Sequence, residues 1–151
     1  MTIRLRLPIP PSGNRYWRHA VVAGSARVYV SSEAEAYKQE IAWIARAAGV
    51  RQPIPGRVCV EIRLFPARPK DWARRARKNP DGWDDTVQCI DLDNARKVLY
   101  DALSGIAFDD DKWVRKDAGE RCEPDEFGPR VEVTITPIRK EPIAPQLFAE
   151  G

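Results

Sequence analysis

The sequence predicts an α/β fold of the α+β kind: a two-layer sandwich, in the order β-α-β-α-β-β, with two helices covering a small mixed sheet. Three observations predict it. Apolar and polar residues alternate over residues 2–8, 57–65 and 131–135, the mark of half-buried strands. Two stretches have apolar residues at helical spacing, and each is closed by a glycine, Gly49 or Gly105. The 151 residues suffice for one core, since a chain of that length buries roughly 70% of its unfolded surface.

The elements follow in order. Ile3, Leu5 and Leu7 alternate with Thr2, Arg4 and Arg6, giving a strand over residues 2–8. A Pro/Gly loop runs from Pro8 to His19, and residues 20–30 read as a short irregular hairpin around Gly24. Ser32 and Glu35 form a capping box that opens a helix with Tyr37, Ile41, Ile44, Ala45 and Ala48 on its apolar face. Val58, Val60, Ile62 and Leu64 mark the strand at 57–65. Residues 66–90 read as a long polar loop, with or without a short helix; a structureless connection of that length is uncommon and often functional. A second helix spans Leu92 to Ser104, residues 112–122 form a third strand, and Val131, Val133 and Ile135 mark the last, after the Gly128-Pro129 turn. One domain is expected over residues 1–137, with a loosely ordered tail over 138–151 that contains Pro142 and Pro145.

Composition excludes several classes. The hydrophobic fraction of 43% and charged fraction of 31% are those of a globular protein, and no apolar run approaches a membrane span. The N-terminal MTIRLRLPIPPSG lacks the apolar core of a signal peptide, so a cytoplasmic location is expected. Cys59, Cys89 and Cys122 are scattered without C-x-x-C spacing, which reads as reduced, partly buried thiols. His19 is the single histidine, which counts against Ser-His-Asp chemistry and multi-histidine metal sites. Any catalysis falls to carboxylates, amines or a hard metal ion. The net charge of +3 is unevenly spread. Arg68, Lys70, Arg74, Arg75, Arg77 and Lys78 face only Asp71 in their stretch, whereas residues 81–93 hold five aspartates and no basic residue. Cations for phosphate beside carboxylates for metal suit a phosphodiester enzyme; a solvated charged loop is the plain alternative.

The informative stretch runs from Ile90 to Val114, IDLDNARKVLYDALSGIAFDDDKWV. Asp91 and Asp93 point the same way on an extended segment, so both face one site if the helix starts near Asp93, itself a good N-cap. The partial positive charge of the helix N-terminus tolerates such a pair. Asp93, Lys97 and Asp101 are four apart and share one helix face. Lys97 can neutralise a carboxylate at rest and contact a phosphate oxygen with substrate. Asp109, Asp110 and Asp111 follow in succession, and three adjacent carboxylates repel unless a cation is near. An acidic pair before a helix and an acidic triplet after it can bring two clusters together around hard divalent cations. Taken singly, each feature has a plain reading: a helix cap, a solvated turn, and an exposed i, i+4 ion pair of about 0.3–0.5 kcal/mol.

The pattern Asp91-Leu92-Asp93-Asn94, Lys97, Asp101-Ala102-Leu103, then Asp110-Asp111 and Val114, resembles the D-L-D-N-x-x-K-x-x-x-D-A-L…D-D-x-x-V signature of the RusA family of endodeoxyribonucleases. The segment from Pro10-Pro11-Ser12 through Asn14 to His19 resembles that family's P-P-S-x-N-x-x-x-x-H segment, and the likeness covers residues 3–137 in element order. It implies a homodimeric, Mg²⁺-dependent resolvase, with Mn²⁺ as the alternative ion, from a phage, prophage or bacterium. Such an enzyme binds four-way (Holliday) DNA junctions in recombination and repair and nicks two opposing strands symmetrically. The family's essential aspartates fall on Asp91, Asp93 and Asp111 and its lysine on Lys97; Asp111 is preferred to Asp110 because it precedes Val114 by three. A departure is that Gln88, Cys89 and Ile90 stand where a family member carries a basic run, which here lies upstream in a longer insertion.

Asn14, Arg15, Arg18, Arg74, Arg75, Arg77 and Lys78 are the expected DNA contacts, with His19 beside them, although Tyr16 and Trp17 can equally close the core and Asn14 can satisfy loop amides. Two rivals stand: a carboxylate-metal enzyme acting on nucleotides, against which the basic run counts, and a catalytically idle DNA-binding phage protein, against which the intact acidic set counts. For a dimer interface the sequence offers Trp43, read as exposed, and the strand Val58–Leu64, read as a sheet edge.

Overall fold

A computed structural model describes residues 1–139. Its frame is the expected one: a mixed sheet covered by two helices. The sheet has the order β1-β6-β4-β5, from β1 (Ile3–Leu7), β4 (Val58–Phe65), β5 (Val114–Arg121) and β6 (Arg130–Pro137). β6 runs antiparallel to β1 and β4, and β4 runs parallel to β5. The helices are α2 (Ser32–Ala47) and α4 (Leu92–Leu103). Alternation decides which residues go inside: Ile3, Leu5, Leu7, Val58, Val60, Ile62, Leu64, Val131, Val133 and Ile135 are buried. Onto them α2 lays Ala34, Tyr37, Ile41 and Ala45, and α4 lays Ala95, Val98, Leu99, Ala102 and Leu103. Each large aliphatic side chain fully removed from water contributes about 1.5–3 kcal/mol.

Four short elements complete this frame. The Pro/Gly loop ends in a helical turn, α1 (Gly13–Tyr16), which runs straight into a hairpin of β2 (Trp17–Val22) and β3 (Ser25–Val30). The hairpin is regular rather than irregular, with unbroken pairing from Trp17↔Val30 to Val22↔Ser25. Its two-residue turn has Ala23 and Gly24 at φ 52° and 81°, the left-handed pair that matches strand twist. The connection over residues 66–90 holds a short helix, α3 (Trp72–Lys78).

Other expectations change in detail. The cap of α2 is Ser31, not Ser32: its Oγ accepts from Ala34 N and donates to Arg15 O. The third strand begins at Val114, after a 3₁₀ turn over Asp111–Trp113. The strand Val58–Leu64 is not an edge: β4 lies between β6 and β5. Trp43 is exposed, at 72%. The thiols are free, with Cys122 buried and Cys59 and Cys89 half-buried. Of the expected tail only Ile138 and Arg139 fall among the described residues, and Ile138 N donates to Arg57 O. Among the described residues no helix is long and apolar enough to cross a membrane.

Candidate active site

The acidic pair stands at the N-terminus of α4. Asp91 has extended backbone (φ −73°, ψ 159°), and its Oδ1 accepts from Asn94 N at 2.8 Å. Asp91 is therefore the cap, two residues before the expected Asp93, which sits inside the first turn. Both carboxylates still line one open cleft of about 480 Å³ with Asn94 and Lys97. Lys97 Nζ lies 3.5 Å from Asp93 Oδ2, and both side chains are largely exposed, at 66% and 73%.

The other wall of the cleft comes from the N-terminal segment: Gly13, Asn14, Trp17 and His19. A contact across 81 residues holds it there, with Gly13 N donating to Asn94 Oδ1 at 2.9 Å. A Cβ on Gly13 would itself sit 2.9 Å from that oxygen, so any other residue there would push the Asn94 side chain aside. A second tie lies further along α4. Tyr16 is fully buried and donates its hydroxyl to Asp101 Oδ2, while Lys38 Nζ from α2 approaches the same oxygen at 3.1 Å. Burial first, and then the Asp101 carboxylate, push the Tyr16 hydroxyl far above its ordinary pKa, so it stays a donor. The Gly13–Asn94 and Tyr16–Asp101 contacts escape sequence reading because the partners lie far apart in the chain.

Asp111 is elsewhere. Because β4 and β5 are parallel, α4 crosses back over the sheet antiparallel to β5. Leu92 packs at Gly119; further along, Arg96 Nε lies 3.1 Å from Asp117 Oδ2, to which Tyr100 also donates at 2.6 Å. From Gly119 back to Val114 the strand spans about 16 Å, and Asp111 lies beyond. Its neighbours are Asp110 and Asp101. Its carboxyl is raised by the hydrogen bond to Asp110, then by burial and by the charges of Asp110 and Asp101. Asp110 is held low, chiefly by the backbone N–H of Lys112, which it caps at 3.0 Å. Asp93 and Asp101 are themselves separated by about 12 Å of helix rise. The two acidic clusters thus stand at opposite ends of α4 rather than meeting. Among the described residues no group of three or more His, Cys, Asp or Glu side chains is gathered closely enough to hold a metal.

The expected DNA contacts form two groups. Asn14 and His19 line the cleft and are exposed, as are Arg15, which reaches Glu33 at 3.4 Å, and Arg18 on β2. Arg74, Arg75, Arg77 and Lys78 lie on α3, in the segment that leads from the end of β4 to the start of α4. Arg74 and Arg75 share Asp71, at 3.1 and 3.0 Å, and Arg68 stacks on Trp72 at 4.2 Å from the ring centre. Paired hydrogen bonds from its neighbours hold Asp71 below the ordinary carboxylate range.

Comparison with known proteins gives one family. The model of the family described as endodeoxyribonuclease RusA matches residues 8–136. The crossover junction endodeoxyribonuclease RusA of Escherichia coli K12 is 33% identical over 144 residues, covering 93% of this chain and 98% of the relative. Those of Enterobacteria phage 82 and Shigella sonnei strain Ss046 are each 32% identical over the same shares. With a family match across nearly the whole described chain, and relatives aligned end to end, this protein belongs to the RusA family of endodeoxyribonucleases.

Proposed function

We propose that the chain is a structure-selective endodeoxyribonuclease that resolves four-way DNA junctions by paired symmetric nicks, works in the cytoplasm as a homodimer, and uses Mg²⁺, with Mn²⁺ as an alternative ion. The observation that carries this reading is the cleft at the start of α4, where Asp91, Asp93 and Lys97 face solvent together in a chain whose relatives are named crossover junction endodeoxyribonucleases.

The donor set fits a hard divalent cation. Asp91 spends one oxygen on its cap and keeps the other; Asp93 is exposed; no thiol lines the cleft, and its one imidazole is that of His19. Mg²⁺ commonly takes one or two carboxylates and completes its shell with water and phosphate oxygens. Asp91 and Asp93 would hold it; Asp111, on which the family resemblance places a third acid, stands at the other end of α4 beside Asp110 and Asp101. When bound, the ion supplies Lewis acidity toward the scissile phosphate and acidifies a water for in-line attack. The chain's own residues do the rest. The positive end of α4 tolerates the paired carboxylates and the arriving phosphate. Lys97, held against Asp93 at rest, turns to the phosphoryl oxygens as negative charge builds there. Asn14, Arg15, Arg18 and His19 orient the backbone at the near rim, and Arg74, Arg75, Arg77 and Lys78 grip more distant phosphates.

Incubation of labelled four-way junction, linear duplex and nucleoside triphosphate with protein and Mg²⁺ tests the reading. Paired nicks in the junction alone are expected. Hydrolysis of the triphosphate with intact DNA would replace it with a nucleotide enzyme, and junction binding without cleavage would replace it with a binding protein.

A further inference from the structure

Packing accounts for the root of the β2–β3 hairpin but not for the rest of it. Cross-strand partners in an antiparallel pair share a face. The pairings Trp17↔Val30, His19↔Val28 and Val21↔Ala26 therefore set one row, which starts at the core and runs outward. Trp17 and Val30 pack against the core, and Trp17 and His19 line the cleft. Beyond them Val28 and Val21 are exposed, at 61% and 75%. Two apolar side chains held in water, in register with a residue of the cleft, add nothing to the core. The opposite face carries Arg18, paired with Tyr29, and then Arg27, all exposed. Residues 17–30 hold two arginines and one histidine but no aspartate or glutamate. From Trp17 to Val22 the ribbon is about 17 Å long.

That chemistry fits DNA whose stack is interrupted. An apolar side chain pushed into an intact duplex must first unstack the base pairs it separates. At a branch point the stack is broken already, so the same side chain enters at less cost and covers a bare base face. A ribbon in the open centre of a junction has DNA on both sides, and this ribbon has two functional sides, one apolar for bases and one cationic for phosphates. Val28 stands across from His19, so the apolar row begins beside the cleft that takes the scissile phosphate. We propose that the hairpin reads the branch point: Val28 and Val21 cover the bases unstacked there, while Arg18 and Arg27, with Tyr29 between them, hold the flanking strand. This role rests on the reading of the chain as a junction endonuclease and deepens it. The acids cut, and the hairpin decides which DNA reaches them.

The full chain with Val21→Ser and Val28→Ser together tests this, without divalent ion. Both positions are exposed, so the melting temperature should stay close to that of the wild type. Four-way junctions carry 2-aminopurine either at the branch or deep within one arm, and its fluorescence rises when it unstacks. Wild type should raise the signal at the branch and not in the arm, and the double variant should raise neither. Its preference for junction over linear duplex should fall about tenfold or more, the scale of one lost base contact, while duplex affinity holds. Val28→Phe, a larger wedge at the same place, should raise the branch signal above wild type; no gain there overturns the proposal even if the serine variant fails to fold. An unchanged branch signal in the folded double variant overturns it, and so does an equal loss of junction and duplex affinity. A double variant that sediments at half the wild-type mass and keeps its junction preference overturns it too, by making the row a contact between copies. Wild type that opens the branch yet never cleaves with Mg²⁺ would sink the proposed function and leave the role of the hairpin standing.

Discussion

Asp91 has two tasks that a single substitution separates. As a cap it needs only an acceptor oxygen, which asparagine also offers; as a metal ligand it needs the charge. Asp91→Asn should therefore unfold at the wild-type temperature while its cleavage rate falls by about 10²-fold or more, the scale of one preorganised charge at a reacting group. Asp93→Asn should lose cleavage likewise, and both variants should bind junction as tightly as wild type or more so, because a negative charge near phosphate is gone. Gel shift without divalent ion and a cleavage time course check this. Lys97→Ala should cost little stability, since an exposed i, i+4 pair is worth about 0.3–0.5 kcal/mol, but should lower turnover strongly. Loss of fold instead of turnover, seen by circular dichroism, would reduce Lys97 to a salt-bridge partner. At this scale the sequence was legible wherever spacing along one helix sufficed, as for Asp93 and Lys97. It was opaque for Gly13–Asn94 and Tyr16–Asp101, whose spacing along the chain carries no period.

Among the elements, α3 collects the cations that the family departure displaced upstream. Replacing Arg74, Arg75 and Arg77 together by alanine should flatten the dependence of log affinity on log salt by up to about 2.7, three phosphates at about 0.9 each. An unchanged slope in binding titrations between 50 and 200 mM salt would turn this helix away from DNA. A different element carries a pH signature. Arg130, buried at the start of β6, grips Asp125 through two hydrogen bonds of 2.8 and 2.9 Å and Glu132 through a third. The guanidinium holds the Asp125 carboxyl down to about 2, against an unfolded value of about 3.9. A depressed folded pKa stabilises above the unfolded value and ceases to as pH falls through the folded one. The gap in melting temperature between wild type and Asp125→Asn should therefore be full at pH 5 and above and close between pH 4 and pH 2, as scanning calorimetry would show. Strands and main helices were legible because burial repeats with their own periods. The cap of α2 was not: Ser32 has the better local signature with Glu35, but Ser31 also reaches Arg15 O, and that tertiary bond decides. The hairpin lacked an Asn-Gly or Asp-Gly turn, so Ala23-Gly24 gave too weak a signal of its regularity.

For the whole molecule, the proposed paired nicks at two symmetry-related phosphates go with a two-fold dimer. Sedimentation at micromolar concentration should give twice the 17.1 kDa chain mass; a monomer, with one copy per junction in the complex, would remove the paired-nick mechanism. The sandwich was legible from element order, but the placing of β4 in the middle of the sheet was not, since alternation shows which face is buried and not which strands lie alongside. That strand order leaves β5 and β1 at the edges. β5 is exposed along nearly its whole length and carries Arg115, Lys116, Asp117, Glu120 and Arg121, while β1 presents Arg4 and Arg6 to solvent. An incoming strand, from a neighbour or from a chain still folding, would have to strip water from these charges to add itself to the sheet. The same edges that frame a DNA enzyme thus guard it against edge-to-edge aggregation.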